Sequence, residues 1–331
     1  MNPFANQVLY FPKTTPLKQQ SMKKIIPALA LFAFMMASCE EAFLPDGADA
    51  PPQIVVEGYI EAGQRPSPPF VILTRSVPFF SQFGPEDLEN TFVHNAAVRV
   101  SDGEKTATLT EICLDELSEE EKRLASVLFG FNPDSLGFNF CVYIDFSFGM
   151  RGEEGKVYTL EVEAEGKRLQ AVTSIPRHAP LDGLEFRDPP GDPNDTLAQL
   201  LCTLPDPAGE ANFYRYQVAI NNSGYISPFA SVFDDRLTDG QLVEFPLFKP
   251  EPRGAQDFDL ETLGLYNVGD TVTIRWISLD KEHYDFWNTL EFNAANQGPF
   301  SSYTLIDSNV EGGLGIWGGL SASYYELRVE K

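Results

Sequence analysis

The chain has 331 residues, with 48 Asp and Glu against 24 Lys and Arg, a net charge of −24, three histidines and four cysteines. That balance repels nucleic acid and anionic lipid headgroups as partners, and so few histidines leave little scope for His-based metal or triad chemistry. The acidity reads as a solvated surface rather than a dedicated cation site.

Residues 1–38 read as an upstream segment followed by a lipoprotein signal peptide. Lys23-Lys24 precede the nearly continuous apolar run Ile25 to Met36, and Met36-Ala37-Ser38-Cys39 closes it with small residues before a cysteine. The run has 12 residues, whereas a helix needs about 20 to cross a bilayer core, so it is expected not to span. Cleavage before Cys39, with diacylglycerol on its thiol and acylation of its freed amine, makes Cys39 the lipidation site. Each buried acyl methylene contributes about 0.8 kcal/mol, so two or three chains anchor stably. Met1 to Ser21 is polar, and translation is expected to start at Met22 rather than Met1. Loss of residues 1–38 leaves 20 basic and 48 acidic residues, a net of −28.

Residues 39–53 form a tether with three prolines and no periodicity. Glu40-Glu41 directly after the cysteine is either an export signal of the kind that flips Bacteroidota lipoproteins to the outer face or a simple acidic linker. The next stretch, 54–176, is expected to be a β-sandwich. Its strands are Ile54 to Ile60, Phe70 to Thr74, Ala97 to Val100, Thr106 to Ile112, Phe140 to Phe146, Val157 to Ala164 and Leu169 to Ser174, each rich in Val, Ile, Thr or aromatics and bounded by turn residues. In the sixth, Tyr158, Leu160, Val162 and Ala164 alternate with Thr159, Glu161 and Glu163, which is period two. Glu165-Gly166 supplies the tight turn to the seventh.

Two features interrupt this pattern. Ser118-Glu119-Glu120-Glu121 is a capping-box start, and Leu124, Val127 and Leu128 put an apolar stripe on the helix that follows, which should lie over an open edge or end of the sandwich. The loop Pro78 to Glu89 carries Phe79, Phe80 and Phe83; it either forms a recognition surface or folds back onto the core, and the second reading is favoured. Cys113 and Cys141 fall on predicted strands of this domain. An envelope compartment permits a disulfide between them, but the preferred reading is that they and Cys202 are buried free thiols, since no CxxC or Cys/His spacing marks a metal or redox site.

Ile175-Pro176-Arg177-His178-Ala179-Pro180 reads as a domain border. The second β-rich domain, 181–331, has strand candidates at Leu184 to Arg187, Leu197 to Leu204, Tyr214 to Ile220, Leu242 to Leu247, Thr271 to Ser278 and Tyr324 to Val329. In the fifth, Val272, Ile274 and Trp276 alternate with Thr271, Thr273 and Arg275. One helix is predicted, capped by Asp280, with His283, Phe286, Trp287, Leu290 and Ala294 at helical spacing until Asn296-Gln297-Gly298-Pro299. His283 is read as a packed or cap-associated residue. Asp188, Asp192, Asn194 and Asp195 crowd one loop but do not match a calcium loop, so turn chemistry is preferred.

No HExxH, GxSxG or phosphate-binding loop occurs, and no catalytic residue, metal or cofactor is expected. The most unusual segment is Asn309 to Gly319, with five glycines in eleven residues around Ile316 and Trp317. It is either a bulged connection into the last strand or a contact surface for a partner.

The lipobox and acidic tether, Val55 to Ile60 (VVEGYI), Gly155-Lys156-Val157-Tyr158-Thr159-Leu160, Ser174-Ile175-Pro176 ahead of Leu181-Asp182, and the Asn309 to Gly319 segment together resemble the Bacteroidota lipoproteins grouped under the domain of unknown function DUF4249. The resemblance covers the mature chain. It implies a mainly β fold of two β-sandwich domains, the first similar to prealbumin-like carboxypeptidase regulatory domains and the second fibronectin- or Ig-like. It also implies an accessory role beside TonB-dependent outer-membrane transporters that pair with a SusD-like lid. The expected function is therefore a non-enzymatic, lipid-anchored, surface-exposed outer-membrane protein that binds a ligand or a transporter. Trp317 and Ile316, then Phe79, Phe80 and Phe83, are the candidate binding residues. The alternative is a surface hydrolase of polysaccharide or peptide using paired carboxylates.

Overall fold

The computed structural model describes residues 51–77, 84–129, 137–191, 195–251, 259, 261–295 and 305–330. Cys39, the rest of the lipobox, Phe79, Phe80 and Phe83 lie outside them. The chain is mainly β, and residues Ala50–Lys331 form one compact unit.

Period-two patterning builds the strands. In β1 (Ile54–Gly63), Ile54, Val56 and Ile60 are buried while Glu57 is exposed. After it come β2 (Phe70–Arg75), the short helix α1 (Pro85–Glu89), β3 (Ala97–Ser101), β4 (Thr106–Cys113), α2 (Glu119–Phe129), β5 (Cys141–Ile144), β6 (Val157–Ala164) and β7 (Lys167–Ser174). The C-terminal half adds β8 (Asp182–Arg187), β9 (Leu197–Pro205), β10 (Phe213–Ile220), β11 (Val232–Asp234), β12 (Leu242–Leu247), β13 (Tyr266–Asn267), β14 (Thr271–Leu279), α3 (Lys281–Ala295), β15 (Val310–Glu311) and β16 (Leu314–Arg328). Strand positions follow the sequence reading closely, except that β11, β13 and β15 are two or three residues long and leave no periodic signal.

One continuous path of strands runs β11-β10-β14-β16-β1-β2-β5-β4-β3-β6-β7-β15, and β8, β12 and β13 pair with β9 in a second sheet. Strand β4 serves two neighbours: Thr106 to Leu109 pair with β3 and Thr110 to Cys113 with β5. The path folds over there, and residues of both arms, among them Val56, Leu73, Val100, Leu160, Leu169 and Trp317, share one core. A second core holds Leu200, Leu204, Tyr214, Tyr266, Ile274 and Trp276.

The parallel pair β1–β16 joins the two halves, in register from Val55↔Leu314 to Gly63↔Ala322. This revises the reading of the last strand, which begins ten residues before Tyr324 and takes in the glycine-rich segment. The glycines serve close approach within the chain itself. A Cβ on Gly315, whose φ is +107°, would stand 1.9 Å from the Val56 carbonyl oxygen, and one on Gly319 would stand 2.3 Å from that of Ser174.

Local signals behave as their chemistry requires. Glu165 and Gly166 take φ of 52° and 72°, the pattern of a type I′ hairpin turn. Ser118 Oγ donates to Glu121 Oε2 at 2.6 Å and the Ser118 N–H donates to the same oxygen at 2.8 Å, completing the capping box of α2. That helix covers the β4–β5 hairpin around a small apolar niche lined by Leu114, Leu117, Leu124, Phe129, Phe140 and Phe146.

The preference for free thiols in the first half is corrected: Cys113 and Cys141 form a disulfide, and only Cys202 is free among the described residues. They are cross-strand partners, and the adjacent Leu114 N–H donates to Phe140 O. The cysteines therefore occupy a non-hydrogen-bonded pair, where side chains stand closest.

Candidate functional site

The face of β10 and β14 turned away from the second core carries a buried polar cluster. Strand β14 sends Val272, Ile274 and Trp276 into the core and Thr273, Arg275 and Ile277 to the other side. Strand β10 does the same with Tyr214, Tyr216 and Val218 against Phe213, Arg215 and Gln217. Since Gln217 pairs with Arg275 and Arg215 with Ile277, the two arginines are diagonal neighbours. Helix α3 packs over this face through Tyr284 against Phe213, at 4.9 Å between ring centroids. Asp280 fixes its start. One Asp280 carboxylate oxygen accepts the His283 N–H at 2.9 Å, and the other accepts the Thr173 hydroxyl and the Ser174 N–H.

Arg275 donates to Glu61 Oε1 at 3.0 Å and to Gln217 Oε1 at 2.9 Å. Glu61 is 3 % exposed, and its second oxygen accepts the Ser67 hydroxyl at 2.9 Å. Burial alone would lower the Arg275 pKa, but the Glu61 carboxylate and the Tyr324 phenol raise it above the ordinary arginine value. Arg215 donates to Ser231 and Ser227 at 3.0 and 3.1 Å, and its guanidinium lies 3.5 Å from the centroid of the Trp287 ring. Burial pulls its pKa down to about 10, which leaves it charged at neutral pH. Two buried donors, Arg275 Nε and Trp287 Nε1, have no hydrogen-bond partner among the described residues.

At the edge of this cluster Tyr324 is partly exposed. The Arg65 guanidinium lies 5.0 Å from the centroid of its ring and Tyr225 is edge-on at 6.0 Å, while its hydroxyl donates to Glu61 at 3.2 Å. Gln64 Oε1 accepts the Tyr324 N–H at 3.1 Å. Aromatic area and the Arg65 cation thus meet at one surface, with the buried Glu61–Arg275 pair behind them, a set that can stack on a ring and hydrogen-bond its polar substituents.

The sequence-predicted residues sit elsewhere. Trp317 and Ile316 are fully buried, the Trp317 indole N–H donates to Tyr158 O at 3.2 Å, and Asn309 brackets the Trp317 backbone with bonds of 2.8 and 3.0 Å. Both residues pack the interior and present no area to solvent. His283, in the first turn of α3, is buried and stacked on Tyr59 at 5.3 Å, and burial with the nearby Arg215 charge pulls its pKa down to about 3. Asp192 and Asn194 lie outside the described residues. A separate trio, Asp206, Asp235 and Asp239, brings three carboxylates within 4.8 Å of one another. Their oxygens accept the Tyr214 hydroxyl and the N–H groups of Gly240, Asn212 and Gly209, which ties loops together.

Sequence reasoning passed over Glu61, Arg215 and Arg275. A charged residue every second position normally marks a wet face, and only the apolar spacing of α3 signals that this face is covered.

These features define a mainly β protein with a long path of strands, a second sheet around β9, and a buried polar cluster on the face of β10 and β14 turned away from the second core. The chain belongs to the family described as domain of unknown function DUF4249, whose model matches residues 40–326. No curated protein and no solved structure matches it. No described helix is long and apolar enough to cross a membrane.

Proposed function

We propose that the protein is a lipid-anchored accessory of the bacterial outer membrane, held through Cys39 and exposed at the cell surface, that captures a nutrient for a TonB-dependent transporter with a SusD-like lid. The observation that carries this reading is the lipobox Met36-Ala37-Ser38-Cys39 after its charged and apolar segments. In this reading the chain is two β-sandwiches, 54–176 of the prealbumin-like kind, whose core also takes in Val310 and Trp317, and 181–331 of the fibronectin-like kind. The capture surface is the Tyr324, Tyr225 and Arg65 cluster, backed by the Glu61–Arg275 pair. Its mixture of aromatic faces, cations and a carboxylate suits a polar, ring-containing nutrient.

Co-purification from gently solubilised outer membranes tests the role. A TonB-dependent transporter should accompany the native chain and be depleted when Cys39→Ala releases the chain from the membrane. Recovery of the native chain alone contradicts the role. Arg65→Ala and Tyr225→Ala, which leave the buried pair intact, should weaken nutrient capture and leave anchoring unchanged.

A further inference from the structure

We propose that reduction of the Cys113–Cys141 disulfide converts its surroundings into a zinc site with ligands Cys113, Cys141, His94 and Glu111. One ligand atom from each of the four already lies within 4.8 Å of the others. Glu111 and Cys113 stand two apart on one face of β4, Cys141 is the cross-strand partner of Cys113, and His94 reaches over from the loop before β3. The set comes from positions 94, 111, 113 and 141, so no local spacing in the chain announces it.

The oxygen and nitrogen ligands are held in place beforehand. Glu111 Oε1 meets His94 Nδ1 at 2.5 Å, and Glu111 Oε2 accepts the Asn95 N–H at 2.8 Å. The Tyr143 hydroxyl lies 3.1 Å from the same oxygen, while it accepts the Ala96 N–H and donates to Val93 O. Such outer partners orient metal ligands. The Glu111 side chain is only 21 % exposed, and no Lys or Arg among the described residues pairs with it. Among the described residues its contact is with His94, whose side chain is 49 % exposed, which leaves room for a metal to bridge the two.

Zinc fits two sulfurs, one nitrogen and one oxygen in four-coordinate geometry. The conversion balances with an external small thiol as reductant. Two thiol molecules give two electrons and two protons, the S–S bond breaks to leave two cysteine thiols, and one external disulfide forms. Binding Zn2+ then releases the two thiol protons and breaks the His94–Glu111 contact; the proton that contact shares leaves Nδ1 for Nε2 or solvent, and the bared Nδ1 lone pair and Oε1 turn onto the metal. The site therefore loads only when reduced. It is independent of the capture role proposed above.

The test uses the full chain in detergent, with circular dichroism confirming that the reduced protein stays folded. Co2+ is the probe for tetrahedral thiolate ligation and Zn2+ its competitor. The expected result is one equivalent of Co2+ bound after phosphine reduction, with thiolate-to-cobalt absorption that Zn2+ abolishes and no such absorption in the oxidised protein. His94→Ala and Glu111→Gln should each weaken binding by at least about tenfold. A folded, reduced protein that takes no metal overturns the proposal. So do equal affinity in both variants, equal binding by the oxidised chain, and unfolding on reduction.

Discussion

Glu61 of β1 and Arg275 of β14 meet at 3.0 Å across 214 residues of sequence, with β16 running between their strands. The pair fastens the first strand of the fold to its C-terminal half over the parallel β1–β16 seam. Removing one partner leaves a buried charge without its counterion, which costs about 3–5 kcal/mol. Glu61→Ala should therefore lower the urea midpoint strongly, and Glu61→Leu with Arg275→Met should recover part of the loss. A single variant within about 0.5 kcal/mol of the native chain would show that the pair is dispensable.

Gly315 tests the role given to the glycine-rich segment. Its positive φ and the Val56 carbonyl 1.9 Å from a would-be Cβ leave no space for a side chain. Gly315→Ala should destabilise by more than about 3 kcal/mol. Gly155→Ala, also at positive φ but facing open space, should cost only about 1 kcal/mol. Equal losses at both positions would place the cause in backbone strain rather than in the β1–β16 approach.

Acid should weaken the fold before its carboxylates titrate. His283 has its pKa pulled down to about 3 by burial and the Arg215 charge, and burial lowers that of half-exposed His178 too. In the folded state both are neutral where the unfolded chain would bind protons, so their contribution is complete above about pH 6.5 and is lost as pH falls below it. The slope for His283 is on the order of 1.4 kcal/mol per pH unit. Denaturation curves between about pH 6.5 and 5 should show it, and His283→Gln should flatten it.

Reduction of the Cys113–Cys141 disulfide opens a separation of 28 residues. The chain-entropy model gives a loss of about 3–4 kcal/mol for such a loop. Denaturation with and without a phosphine reductant measures it directly. Cys202, buried and with its thiol pKa pushed up to about 12 by burial, should not react with alkylating reagents until the chain unfolds.

Much of the fold is legible in the residues because period-two patterning and turn chemistry are local. Val157 to Ala164, the Glu165-Gly166 turn and the Ser118 capping box could be read in place. What could not be read is long-range. Gly315, Gly318 and Gly319 hide the strand character of Leu314 to Gly319, since their reason is the proximity of Val56, His283 and Ser174 from distant segments. The same holds for Cys113 and Cys141, whose pairing depends on β-register, and for Arg215, whose strand face reads as wet although Trp287 of α3 lies over it.

The anchoring at Cys39 is tested most directly by mass spectrometry of the amino-terminal peptide from protein purified out of membranes. The account predicts a peptide that begins at Cys39 and carries the mass of a diacylglyceryl group plus an acyl chain. An unmodified cysteine, or an amino terminus at Met1 or Met22, would contradict it.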